Sequence, residues 1–201
     1  ARQYFSGELG WDQWSFIGYQ GIADMAARHA EDNNEEHLTT AIPQLPPTPL
    51  EALCHNLENS AIPSQLAEAL LSRCRQTLVE ADPDPQIITA SLRGISFSQS
   101  LEHRRTLLGE VLGHPVARRS DVLAAVAGRL WLDLEDQVLR TQFLEQLAVN
   151  DQGESFFQQL LADLLYLEDC RQGLLESLRN PNRSEQLSRA IGTFFSQLGA
   201  S

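Results

Sequence analysis

Apolar side chains return every three or four residues along almost the whole chain. After the first ten residues no sustained stretch alternates apolar and polar with a period of two. A 3.6-residue period gathers apolar groups into one helical stripe, whereas a half-buried strand needs period two. The spacing therefore predicts an all-α fold, a multi-helix bundle or short α-solenoid of about eight or nine helices.

Helix boundaries are signposted. Asp12 to Ala30 reads as a first helix, with Gly18 and Gly21 there for close packing or to mark a kink. Thr48-Pro49-Leu50-Glu51 predicts an N-cap threonine, proline in the first turn and a capping-box glutamate. Leu66, Leu70, Cys74 and Leu78 mark the next helix, which Asp82-Pro83-Asp84-Pro85 ends. Shorter helices follow through Leu92, from Ser98 to Leu112, and through Leu130 and Leu147. The strongest pattern runs from Glu154 to Leu178 with apolar residues on more than one face, which predicts one long central helix. Asn180-Pro181 ends it, and Asn182 with Glu185 caps a last helix closed by Gly199.

Residues 1–40 read as an aromatic-rich arm, 41–49 as a proline-rich linker and 50–201 as the helical bundle domain. Six of the fourteen aromatics fall within the first nineteen residues: Tyr4, Phe5, Trp11, Trp14, Phe16 and Tyr19. Such an arm either docks on its own core or presents a surface to a partner or second subunit, the route to a homodimer. A polar run from Glu31 to Thr40 follows, and then four prolines in the seven residues from Pro43 to Pro49, which predict an extended spacer. An internal echo stands out as well. Cys74-Arg75-Gln76-Thr77-Leu78-Val79-Glu80 matches Cys170-Arg171-Gln172-Gly173-Leu174-Leu175-Glu176 at five of seven positions, and Pro85 and Pro181 share the offset of 96. Two related helix–break–helix units, or coincidence in a leucine- and glutamine-rich chain, both account for it.

All fifteen basic residues are arginine; the chain has no lysine. That excludes a Schiff-base lysine, a phosphate-loop lysine and a Ser-Lys dyad. Codon bias in a GC-rich genome accounts for it, as does selection against lysine modification. The formal charge of −12 repels phosphate backbones and anionic lipid, so neither nucleic acid nor membrane insertion is expected. A protein with a basic surface is the better partner. Three cysteines, Cys54, Cys74 and Cys170, have no paired spacing, which predicts buried thiols in a reducing, cytoplasmic setting. The chain begins at Ala1 without methionine, which leaves room for a processed or upstream targeting segment.

No catalytic residue, cofactor site or metal site is predicted. The five histidines lack His-x3-His or Glu-x-x-His spacing, and no Gly-x-Ser-x-Gly or Gly-x-Gly-x-x-Gly pattern is present. The acidic run Glu31-Asp32 and Glu35-Glu36 reads as a solvated face. Arg104 and Arg105, with Arg118 and Arg119, form a basic concentration able to meet a carboxylate or to pair with neighbouring acids. The candidate partner-binding residues are therefore Trp11, Trp14, Tyr19, Arg104, Arg105, Arg118 and Arg119.

These features predict a non-catalytic protein–protein interaction domain: a helical adaptor, regulator or chaperone, bacterial and cytoplasmic. The alternative is a helical small-molecule-binding or sensor domain with a cavity lined by Trp131, Phe143 and Phe157, and a helical enzyme ranks third. The segment Asp136-Gln137-Val138-Leu139-Arg140-Thr141-Gln142-Phe143-Leu144 sets an acid, three residues, an arginine and then an apolar pair. It resembles small helical gatekeeper proteins of type III secretion over less than a twentieth of the chain, which implies a secretion-related role.

Overall fold

A computed structural model describes residues 1–198. The closing role expected of Gly199 lies outside them. The described residues are all-α, with twelve α-helices and four short 3-10 segments. The chain divides into two compact units, Ala1–Leu107 and Leu108–Ser201. Twelve helices exceed the eight or nine expected, because polar and broken segments also fold as helix.

The first unit comprises α1 (Arg2–Phe5), a 3-10 segment (Trp11–Phe16), α2 (Gly18–Ala27), α3 (Asn34–Ala41), a 3-10 turn (Ile42–Gln44), α4 (Pro47–Leu57), α5 (Ser64–Leu78) and α6 (Pro85–Ile95). Helix α7 (Leu101–Leu112) runs across the boundary. Helix α4 lies between α2 and α6, and α6 also packs on α5. Leu50, Leu53 and Leu57 of α4, Leu66 and Leu70 of α5 and Ile88 and Leu92 of α6 are all fully buried, each contributing about 1.5–3 kcal/mol. The Asp84 carboxylate accepts from the Gln86 amide at 2.9 Å and Pro85 occupies the first turn, so α6 starts where its sequence signals put it.

Three expectations for this unit are corrected. The arm and linker are not separate pieces. Residues 1–49 lie inside the first compact unit, with Tyr4, Phe5, Ile42 and Leu45 all at 0 % exposure. The prolines leave only Leu45 and Pro46 extended, because Ile42 and Leu45 are drawn into the core and Pro47 sits at a helix start where a missing N–H costs nothing. The polar run folds as α3 because Leu38 and Ala41 reach the core. The first helix is not continuous, since the 3-10 segment ends at Phe16 and Gly18, the first residue of α2, takes φ +60°. No atom lies within 4 Å of where its Cβ would be, so this glycine serves backbone conformation rather than packing. Finally, α4 begins at Pro47 after Pro46, so Thr48 is in the first turn and is not the cap.

The second unit holds a 3-10 segment (Pro115–Arg118), α8 (Ser120–Arg129), a 3-10 segment (Trp131–Glu135), α9 (Gln137–Ala148), α10 (Glu154–Tyr166), α11 (Glu168–Arg179) and α12 (Glu185–Leu198). Leu123, Val126, Phe143, Leu147, Phe157, Leu161 and Leu174 fill its core. The single long helix expected over Glu154–Leu178 is two: Leu167 adopts φ −78°, ψ 116° and separates α10 from α11. The Arg171 guanidinium donates to the carbonyls of Leu165 and Tyr166 at 2.7 and 3.1 Å, satisfying the groups that the break frees. Apolar residues on more than one face are thus served by a change of direction. The cap of α12 is Ser184, whose hydroxyl accepts from the Leu187 amide at 3.0 Å, and not Asn182. The two echo segments lie near the ends of α5 and α11, each before a break and another helix. Their packing differs, since α6 lies against α4 and α5 while α12 lies against α9 and α10.

Cys54 and Cys74 are fully buried and Cys170 is 5 % exposed, all as free thiols. Burial also pushes the Cys54 and Cys170 thiols up, leaving little thiolate. The folded chain is expected to resist an aromatic disulfide reagent at neutral pH and to release three equivalents of thiol only on denaturation. Rapid release of even one equivalent without denaturant would contradict the burial.

Candidate functional site

The most distinctive exposed surface of the first unit is built by the corner at Gly18. The 3-10 segment preceding it and the left-handed glycine leave Phe16 82 % and Tyr19 61 % exposed. Trp14 is half-buried, its ring centroid 5.6 Å from that of Tyr19. Trp11 serves a different purpose. Its ring meets Tyr4 edge-on at 5.6 Å, and its carbonyl accepts from the Tyr4 hydroxyl at 2.7 Å. Burial, with Asp12 close by, pushes the Tyr4 phenol up to about 12, so it stays a donor. The six aromatics thus partition into a buried pair, Tyr4 and Phe5, an anchor, Trp11, and an outward group of Trp14, Phe16 and Tyr19.

Electrostatics around this group are one-sided. The first forty residues carry seven acids and two arginines. Both arginines are held by acids: Arg2 with Asp32 at 3.0 Å, and Arg28 with Glu31 at 2.9 Å and Asp32 at 3.2 Å. Along the first forty residues acidic charge therefore exceeds the local cations.

The four candidate arginines fall in different units. Arg104 and Arg105 belong to the first unit and are half-buried, with the Arg104 guanidinium donating to the Ser98 carbonyl at 2.6 Å. Arg118 and Arg119 belong to the second unit and are exposed. Arg118 reaches Gln146 at 3.4 Å, and Arg119 makes a two-bond contact with Asp121 at 3.1 and 2.9 Å. Of the candidate residues, the structure brings Trp14 and Tyr19 together. Phe16, the most exposed aromatic of the group, is the residue that sequence reasoning left off its candidate set. Nothing in its local pattern marks it as outward, because the conformation of Gly18 decides it.

In the second unit a concavity of about 340 Å³ lies where α8 and α10 pack together. Ala124, Ala127 and Gly128 of α8 face Leu160 and Leu164 of α10, with Trp131 in the same lining. Asp163 is the sole charged side chain of that lining. The three rings expected to line one ligand cavity are apart: Trp131 borders this groove, Phe157 borders a separate hollow of about 220 Å³ beside α12, and Phe143 is fully buried.

Among the described residues no three His, Cys, Asp or Glu side chains stand where they could hold a metal ion. Two of the histidines are held locally: His103 Nε2 meets Glu68 at 3.0 Å, and His114 Nδ1 accepts from the Val116 amide at 3.2 Å. Among the described residues no helix is long and apolar enough to cross a membrane.

Comparison with known proteins adds a family. Residues 1–195 match a family described as "Protein of unknown function (DUF3549)", and the chain belongs to it. No curated protein and no solved structure matches the chain.

Proposed function

We propose that the chain is a non-catalytic protein-interaction domain that holds a basic segment of another protein on the surface formed by Trp14, Phe16 and Tyr19. The observation that carries this reading is the exposure of Phe16 and Tyr19 within a stretch of forty residues whose seven acids outnumber its two arginines. Large aromatics lose little conformational entropy on binding and dominate interface energetics, while surrounding charge selects the partner and speeds encounter. A partner segment with arginine or lysine flanking leucine or aromatic anchors satisfies both demands. A second copy of this chain fits less well, because −12 would meet −12. Cysteines outside any disulfide are in keeping with a cytoplasmic adaptor, regulator or chaperone.

The test is an array of randomised 15-residue peptides probed with the labelled full chain. Retained peptides should be enriched in basic residues next to large apolar ones, and retention should weaken as salt is raised. The double substitution Phe16→Ser with Tyr19→Ser should lower affinity for those peptides about tenfold or more without moving the melting temperature, since both side chains are exposed. No enrichment, enrichment in acidic peptides, or retention indifferent to the double substitution overturns the reading.

A further inference from the structure

We propose that the groove between α8 and α10 is a second docking site, taking one face of an amphipathic helix from a partner protein, with a basic residue of that helix pairing with Asp163. This site stands on the second unit alone and does not depend on the aromatic surface of the first.

The groove has the shape of a helix seat. Ala124, Ala127 and Gly128 recur at helical spacing, so the α8 side of the groove is small enough for another backbone to approach. No atom lies within 4 Å of where a Cβ on Gly128 would stand, so the space above this residue is open and not filled by the fold itself. Leu160 and Leu164 stand on the opposite side at i, i+4, and Trp131 adds the kind of ring that anchors interfaces. A small apolar ligand fits less well. The hollow is open to solvent, whereas ligand pockets bury most of their occupant's surface.

Charge specifies the occupant. Asp163 carries the lining's one charge and is exposed; beyond Leu167 the chain continues with Glu168 and Asp169, both exposed. Two arginines stand close in the chain: Arg171 is committed to the carbonyls of Leu165 and Tyr166, and Arg129, exposed next to Gly128, is itself engaged. An apolar trough with acids and a committed arginine fits a helix whose leucine face is flanked by arginine or lysine, and it repels an acidic one.

The experiment uses the full chain carrying Phe16→Ser and Tyr19→Ser, so that the first surface is disabled. The probe is a designed 18-residue amphipathic helix with leucine on one face and arginine beside it, labelled for anisotropy and bearing a photo-crosslinker. A twin peptide with glutamate in place of arginine is the control. The basic peptide should bind and crosslink within 124–131 and 160–167, and the acidic twin should not bind. Gly128→Leu fills the groove at an open position and should weaken binding about tenfold or more. Asp163→Arg should weaken it about tenfold and flatten its salt dependence. Melting curves report whether each variant folds, and Asp163→Arg, at an exposed site, stands as the second test if Gly128→Leu does not. Equal binding of both peptides, crosslinks elsewhere, or affinity unmoved by Asp163→Arg overturns the proposal. Because the aromatic surface is already disabled, neither result bears on the first reading.

Discussion

Replacing Gly94 by valine is expected to destabilise the first unit by about 3 kcal/mol, seen as a melting temperature lower by roughly 10 °C and an earlier urea midpoint. Gly94 is buried on α6 where that helix crosses α4. A Cβ there would stand 2.8 Å from Cys54 Sγ, 3.1 Å from Cys54 Cβ and 3.1 Å from Leu70 Cδ1. Cys54 and Leu70 are both at 0 % exposure, so neither has free volume to retreat into. Alanine separates two opposing effects. It gains about 1 kcal/mol of helix propensity and loses about 1–3 kcal/mol to overpacking, so a smaller net loss is expected. Valine adds two methyl groups and a stiff branched Cβ, and the overpacking then dominates. Combining Gly94→Ala with Cys54→Ala removes the 2.8 Å contact but keeps the two at 3.1 Å, so the pair should recover part of the loss and give a non-zero coupling energy. Wild-type stability for Gly94→Val would mean that α4 and α6 do not approach this closely.

That crossing shows what the sequence could and could not convey. Leucine spacing sufficed for an all-α fold, because burial of a stripe is a local consequence of period, and Asp84-Pro85 marked a helix start because its chemistry is local too. Gly94 stands just beyond the helix that the spacing carries through Leu92, and its value lies in a contact with Cys54, forty residues away, that no pattern displays. The break at Leu167 was hidden for a related reason. Leu164, Leu167 and Leu174 keep helical phase across it, and the residue that makes the break tolerable is Arg171, a side chain that looks like ordinary surface charge. The linker failed in the opposite sense. Its prolines were conspicuous, and the burial of Ile42 and Leu45 that overrides them was not. For the candidate surface, the aromatic concentration was visible but its partition into inward and outward rings was not, since the outward turn follows from the positive φ at Gly18. The basic pairs looked alike in one dimension, yet Arg104 and Arg105 are half-buried and Arg118 and Arg119 exposed. The segment resembling secretion gatekeepers is occupied with internal duties. Asp136 caps α9, accepting from the Val138 and Leu139 amides at 2.9 and 3.1 Å, and Arg140 lies inside the second unit.

Arg140→Met should be the most damaging single change in the second unit, at about 3–5 kcal/mol, a cost in the range of breaking a buried ionic group's contacts. The Arg140 side chain is 6 % exposed. Its Nη1 donates to the carbonyls of Leu134 and Glu135 at 3.0 and 2.9 Å, and its Nε donates to Ser177 Oγ at 2.8 Å. One planar fork therefore ties the 3-10 segment before α9 to α11, and methionine would leave those acceptors without this donor while filling much of the same volume. Lysine should recover only part of the loss, because a single ammonium cannot match the fixed directions of a guanidinium. Gly173 makes room for the fork, since a Cβ there would stand 2.6 Å from Nη1 and 2.8 Å from Cζ. Gly173→Ala should thus displace the guanidinium and cost a comparable amount. The double variant with Arg140→Met should cost clearly less than the sum, because the methionine no longer presents the head group that the new methyl strikes. Cys170, whose thiol donates to the Trp131 carbonyl at 3.2 Å, reports on the same junction. In either single variant its modification should quicken while Cys54 and Cys74 in the first unit stay protected. Additive losses, or three thiols that react together, would show that Arg140 does not organise the junction between α9 and α11.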